Sequence, residues 1–197
     1  MVIRDLSNRT LQHIYCDNGL TDKILEEVFQ AHTEVVFQKN EFLLRQGETS
    51  KEYYCLESGL VRAFVHDYKG NDITTQFFCN NEIVIEANSL FMQIPAKENI
   101  QALTPCKCWK ITFDDFQRLY QNIPEVAEWG RMWMSQQLFL LKKHSVSIIA
   151  DSATDRYLSL IKERPQILKE APIKHIASYL GITDTSLSRI RNKVSKM

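Results

Sequence analysis

Between residues 34 and 112 the chain falls into about eight short runs rich in β-branched and aromatic residues, a texture that narrows the possible folds more than any other feature. The runs cover 34–38, 41–45, 53–56, 60–67, 72–78, 83–85, 99–103 and 106–112. Lys39-Asn40, Gly47, Ser58-Gly59, Lys69-Gly70-Asn71, Asn80-Asn81 and Pro95 interrupt them. Strands this short and this numerous would leave exposed edges in an open sheet, so a closed small barrel or double-sheet jelly roll is expected.

Helical patterns flank this region. Leu20, Ile24, Leu25, Val28 and Phe29 describe a short amphipathic helix with Thr21 as N-cap and a Leu20–Leu25 staple. Phe113-Asp114-Asp115-Phe116 opens another helix that runs to about Asn122, and Pro124 starts a third. From 125 to 149 only Gly130 interrupts a single long helix, and its apolar residues lie nearly all round it. Such a helix needs partners on more than one side. One side can cover the barrel; the other is expected to meet the same helix of a second copy, through Trp129, Met132, Trp133, Gln136, Phe139 and Leu140. Asp151-Ser152-Ala153-Thr154 then reads as a hinge before a helix over 155–164.

The last twenty-five residues carry the clearest functional signal. Ile173, Ile176, Ala177 and Leu180 form the inner face of a short helix, and Gly181 supplies the left-handed residue that ends it. Thr183 is a natural N-cap for the following helix, where Leu187, Ile190 and Val194 face inward. At 100° per residue, its outer face carries Thr185, Ser188, Arg189, Asn192 and Lys196. All five can donate hydrogen bonds and none is apolar or acidic. A helix-turn-helix that places its second helix in the major groove is expected, with Thr183, Ser186, Arg191 and Lys193 completing the contact surface.

The charge distribution agrees. Residues 151–197 hold nine Lys/Arg against five Asp/Glu, whereas the rest of the chain holds fifteen against nineteen, so the zero net charge conceals a basic C-terminal unit on an acidic body. A polyanionic partner is expected for that unit alone. Five cysteines and no secretory pattern favour reduced thiols and a cytoplasmic setting, and no apolar run is long enough for a membrane span. Cys106 and Cys108 share one face of a strand and are expected to be core residues rather than ligands. The five histidines are scattered, and there is no Walker loop or Gly-x-Ser-x-Gly nucleophile site. Neither an enzyme nor a resident metal or cofactor is expected.

The order of barrel, long helix and helix-turn-helix resembles the Crp/Fnr family of bacterial transcription regulators. Gln46-Gly47-Glu48, Tyr53-Tyr54-Cys55-Leu56 and Ser58-Gly59-Leu60-Val61-Arg62 are similar to the opening of that family's barrel. The stretches 155–158, 176–183 and 187–191 resemble its Bacteroidetes-type members. The resemblance implies an α+β chain: a double-stranded β-helix (jelly-roll), cyclic-nucleotide-binding-like domain over 1–122, a dimerisation helix over 123–150 and an all-α helix-turn-helix domain over 151–197. It implies a homodimeric regulator that reads a two-fold-symmetric DNA site, with RNA polymerase and a small-molecule effector as further candidate partners.

Two departures limit what it implies. Cyclic-nucleotide-binding members carry Gly-Glu and then Arg followed by Ser or Thr around the cyclic phosphate. Here that region offers Asn81-Glu82 and Lys97, and no arginine lies between Arg62 and Arg118. Glu82, Ser89, Lys97 and Asn99 are the candidate effector residues, and cAMP binding is not expected of them. At the DNA face the family's Arg-Glu start is replaced by Asp184-Thr185, which leaves Arg189 as the candidate base contact. Because the sequence stops at Met197, no wing is expected after this helix. A redox, haem or small-molecule sensor of the same architecture, or a barrel-mediated interaction protein with degenerate DNA binding, remain alternatives.

Overall fold

The short runs fold into two four-stranded antiparallel sheets that pack face to face, with β3 and β4 buried on both sides over most of their length. The computed structural model describes residues 8–16 and 19–195. Its strands are β1 (Thr33–Phe37), β2 (Phe42–Leu44), β3 (Glu52–Ser58), β4 (Val61–His66), β5 (Asp72–Phe78), β6 (Ile83–Val84), β7 (Asn99–Ala102) and β8 (Cys106–Thr112). One sheet has the order β1-β8-β3-β6 and the other β2-β7-β4-β5, the jelly-roll arrangement read from the sequence. Tyr54, Leu56, Val61, Phe78, Ile100 and Cys108 are among the side chains that fill the space between the sheets. Cys55, Cys106 and Cys108 are buried free thiols.

The β3–β4 connection shows why one glycine is obligatory. Gly59 has φ +107°, and an added Cβ would lie 2.5 Å from the Pro105 carbonyl oxygen. Neither the conformation nor the space admits a side chain.

Nine helices are described: α1 (Arg9–Tyr15), α2 (Asp22–Gln30), α3 (Ala87–Met92), α4 (Phe113–Asn122), α5 (Pro124–Ala150), α6 (Ala153–Glu163), α7 (Pro165–Glu170), α8 (Ile173–Tyr179) and α9 (Asp184–Val194). Three of them, α1, α3 and α7, had no counterpart in the sequence reading. Thr21 sits at the N-cap of α2 but its side chain makes no capping bond. Thr112 does cap α4, accepting from the Asp115 N–H at 3.1 Å.

Helices α1, α2, α4 and the start of α5 cover the β1-β8-β3-β6 sheet in a shared apolar cluster that includes Leu11, Leu25, Val28, Phe116, Val126 and Trp129. This corrects the expected dimer face. Trp129 is 2% exposed; its ring lies 4.5 Å from that of Tyr15 and its Nε1–H donates to the Ile14 carbonyl at 3.0 Å. Trp133 stacks on Trp129 and packs on the same cluster. Trp129 is therefore taken by its own barrel and N-terminal helix, and Trp133 is partly taken by the same cluster. The apolar residues of α5 left open are Met132, Met134, Leu138, Phe139, Leu140, Leu141, Val146, Ile148 and Ile149; Leu140 continues the side of the indoles beyond the barrel, and the others lie round the helix from them. Met132, Phe139 and Val146 recur every seven residues, the spacing of a coiled-coil seam, and so do Met134, Leu141 and Ile148; Phe139 is the largest exposed side chain of the two stripes. Gln136 is also exposed.

A polar group sits inside the same cluster. The Tyr15 hydroxyl lies 2.8 Å from that of Tyr53 and 3.2 Å from His32 Nε2, and His32 Nδ1 lies 2.7 Å from the Val28 carbonyl oxygen. Only Nδ1–H can satisfy that carbonyl, so Nε2 accepts from Tyr15. Burial drives the His32 pKa down to about 4, against the hydrogen bond to Val28 and the Asp115 charge.

Candidate functional site

The C-terminal helices form as the sequence requires. Ile176, Ala177, Leu180 and Leu187 are buried, and Gly181 takes φ +67° between α8 and α9. The Ile182 N–H donates to the Ala177 carbonyl at 3.0 Å, closing the turn with the reversed bond of a glycine-terminated helix. Thr183 caps α9, its Oγ accepting from the Ser186 N–H at 3.2 Å and donating to Ser186 Oγ at 3.0 Å. Asp184 in the first turn and Arg191 and Lys193 in the last complement the helix dipole.

Of the residues expected to touch DNA, Thr185, Ser188, Arg189 and Asn192 lie exposed on one face of α9, with Arg191 and Lys193 exposed beside them. Thr183 and Ser186 are engaged with each other as the cap, so their first task is structural. Lys196 lies outside the described residues. No carboxylate interrupts this face after Asp184.

The barrel's expected effector residues do not converge. Glu82 sits on the turn between β5 and β6; its carboxylate accepts from the Cys79 N–H at 2.9 Å and is bound by Arg164, close to the C-terminal helices. The Ser89 hydroxyl is buried, donating to the Ile94 carbonyl at 2.6 Å and accepting from the Ser50 N–H at 2.8 Å. Asn99 is buried and accepts from the Gln46 N–H at 3.0 Å, and Lys97 is exposed. These four residues are placed as structural and surface groups, in three separate environments.

A pocket of about 240 Å³ does open on the barrel between β2, β3 and β6, and its polar lining includes Glu48, Glu52, Glu86 and Lys51. Glu86 caps α3 through the Ser89 N–H at 2.5 Å, and Glu52 meets Lys110 at 3.2 Å. Burial, reinforced by the nearby Glu86 charge, also pushes the Glu98 carboxyl above its usual range. A site with three carboxylates, one lysine and no arginine repels an anionic phosphate. The sequence reading missed Glu86 because it assigned the cassette acid to Glu82, four residues earlier. The available signal was Glu86 directly after the apolar run Ile83-Val84-Ile85, where a strand gives way to a capped helix.

The barrel's one deeply buried arginine faces elsewhere. Arg62, 3% exposed on β4, makes a bidentate pair with Asp72 at 2.5 and 2.7 Å, and its Nη1 donates to His175 Nδ1 on α8 at 2.7 Å. Burial would raise the Asp72 carboxyl, but the hydrogen bonds and charge of Arg62 outweigh it and hold the group below its usual range. Burial, then the Arg62 charge, drive the His175 pKa down to about 4. Arg164, between α6 and α7, reaches the other way, to Glu82, the Phe77 carbonyl at 3.1 Å and Cys79 Sγ at 3.6 Å. Leu60, Phe77 and Leu103 of the barrel share a single apolar cluster with Tyr157, Leu160, Ile167 and Ile176.

Among the described residues no group of side chains is arranged to hold a metal ion, and no helix is long and apolar enough to cross a membrane. Comparison with known proteins follows the same lines. Residues 34–123 match the family model of the cyclic nucleotide-binding domain. No curated protein matches the chain in sequence. Among solved structures, FixK2 from Bradyrhizobium japonicum superposes with a TM-score of 0.73 at 17% identity, over 84% of this chain and 85% of that one. The c-di-GMP responsive global regulator CLP of Xanthomonas campestris gives 0.69 at 15% identity, over 89% and 92%. The catabolite activator protein of Thermus thermophilus gives 0.58 at 16% identity, over 95% and 87%. Residues 34–123 are thus similar to the cyclic nucleotide-binding domain, and the chain as a whole shares the fold of these solved structures, the architecture that its sequence resembles.

Proposed function

We propose that this chain is a sequence-specific DNA-binding transcription regulator that acts as a homodimer. The observation that carries this reading is the exposed face of α9, where Thr185, Ser188, Arg189 and Asn192 present donors on a capped helix set behind a glycine turn. Arg189 is the base-reading residue, bidentate to a guanine, while Arg191 and Lys193 hold phosphates. The exposed stripe of α5 supports dimerisation, and a dimer of this kind reads two half-sites about one DNA turn, roughly 34 Å, apart. RNA polymerase is the natural further partner of such a regulator. The division into a barrel over 1–122, a dimer helix over 123–150 and a DNA-binding unit over 151–197 belongs to the same reading, and no chemical step is assigned to any of them. The carboxylate-lined pocket argues against a cyclic nucleotide as effector.

Selection of random duplex DNA by the purified protein, with and without cyclic nucleotides, tests this. A two-fold-symmetric motif is expected, unaffected by cyclic nucleotide. Arg189→Ala is expected to weaken binding by about 1–3 kcal/mol and to relax the sequence at one position per half-site. Failure to enrich any symmetric motif would overturn the reading.

A further inference from the structure

The interface between the barrel and the C-terminal helices is built more elaborately than a tether requires. Its apolar part is a shared core, since Leu60 and Phe77 are fully buried against α6, α7 and α8. Around that core two arginines cross in opposite directions. Arg62 leaves the barrel to bond His175 of α8, and Arg164 leaves the C-terminal unit to bond Glu82 of the barrel. Smaller bonds fill the seam between them: the Thr74 N–H donates to Ser178 Oγ at 3.1 Å, and Gln166 Nε2 donates to the Gly59 carbonyl at 2.8 Å. At the other side of α8, Arg156 donates to the Leu180 carbonyl at 2.9 Å and to the Asp151 carbonyl at 2.6 Å, and the His144 ring of α5 stacks on Tyr179. The helix-turn-helix is thereby held against both the barrel and the dimer helix, although α5 and α6 are joined by only Asp151 and Ser152.

We propose that Arg62 and Arg164 form a reciprocal clamp through which the barrel positions the recognition helix, so that the barrel governs operator binding by fixing the orientation of α9 rather than through its pocket. This rests on the DNA-binding reading above. Three features support it. The clamp is costly to leave half-made: removing Asp72 or Glu82 takes the counter-charge from a largely covered guanidinium. The docked arrangement leaves Thr185, Ser188, Arg189 and Asn192 exposed, so docking presents the reading face and does not mask it. Finally, the barrel spends its buried arginine on α8 and leaves its pocket carboxylate-lined, which makes the interface its more specialised surface. His175 acts as a neutral acceptor in this arrangement. The charged groups facing it are Arg62 and Asp72 from the barrel, Lys174 on its own helix and Asp184 on α9.

Orientation matters only when two recognition helices must meet one duplex together, and the test uses that distinction. Binding of the full-length protein to the selected symmetric site and to a single half-site at low salt is compared for wild type, Asp72→Asn, Arg164→Glu and the charge-swapped pair Arg164→Glu with Glu82→Arg. The single variants are expected to bind the symmetric site at least tenfold more weakly, with half-site binding changed less than twofold. The swapped pair is expected to recover most of the loss. Hydrogen exchange at the α8 amides, read without DNA, is expected to speed up in the single variants and to slow again in the swapped pair. Asp72 is the gentler site because its carboxylate is one-third exposed, so it remains readable if Arg164→Glu fails to fold. Equal losses on both duplexes, or unchanged symmetric-site binding and α8 exchange in folded Asp72→Asn, overturn the clamp. A wild-type protein that selects no duplex removes the DNA reading instead, while the exchange arm still decides whether the two arginines hold the C-terminal helices to the barrel.

Discussion

Phe139 offers the most direct test of how this chain assembles. It lies midway along α5 with 71% of its surface open, between Met132 and Val146 on the seven-residue stripe. Burying a phenylalanine completely is worth about 1.5–3 kcal/mol. A symmetric interface counts the residue twice, and each copy has about seven-tenths of its surface still to bury. Phe139→Ala should therefore weaken the dimer by roughly 2–4 kcal/mol, a factor of about 30 to 1,000 in the dissociation constant. Because the side chain contributes little inside its own protomer, the unfolding midpoint of the monomer should hardly move. Sedimentation equilibrium on wild type and variant, with circular dichroism to confirm that both are folded, measures the two quantities separately. Trp129→Ala is the contrasting control: its ring is already buried against Tyr15, so it should destabilise the protomer itself. A folded Phe139→Ala protein whose dimer constant shifts by less than threefold would refute the assignment of this stripe.

Other outcomes follow from the core. His32 is neutral when folded, with a pKa of about 4 set chiefly by burial, so the unfolded chain takes up its proton first as pH falls below its ordinary 6.5. Stability should thus be complete near pH 7 and decline by about 3 kcal/mol towards pH 4 from this group alone; a urea midpoint that is flat between pH 7 and pH 5 would contradict it. His175 adds to the slope in the same direction. Gly59→Ala should cost at least about 2 kcal/mol in urea unfolding, since φ +107° and the Pro105 carbonyl both oppose a methyl group.

The parts of the fold legible in the sequence are those set by local periodicity. The run over 72–78 and the run over 106–112 became β5 and β8 with unchanged boundaries, because β-branched and aromatic content and flanking turn residues mark a strand almost alone. The Thr183 cap and the Gly181 turn were legible for the same reason, since each depends on neighbours a few residues away. Pairings across the chain were not. Trp129 and Trp133 lie on an apolar helix, and nothing in the periodicity of α5 tells which side its own barrel will take. The deciding partner, Tyr15, sits on α1, a helix of seven residues and too short to show a clear period. Glu82 and Glu86 are both acids at a strand end, and only the placement of α3 separates the pocket residue from the interface residue.

One long-range pairing did leave a trace in the sequence. Leu60-Val61-Arg62-Ala63-Phe64 is an apolar strand interrupted by a single cation, and an arginine buried in such a strand must be matched by a fixed acceptor. The acceptors are Asp72 on the neighbouring strand and His175 on α8. The charge imbalance between the two parts of the chain acquires a second meaning from this. An acidic body and a basic C-terminal unit suit a polyanion at α9, but the same imbalance also lets Glu82 of the body hold Arg164 of the C-terminal unit. Basic residues on the inner side of that unit are used to dock it; those on α9 stay free. The division follows burial, with Arg164 mostly covered at 23% exposure and Arg189 exposed. What distinguishes an internal tie from the nucleic-acid contact proposed for α9 is which side of a small helical unit each cation occupies, and that is decided only when α8 settles on β5.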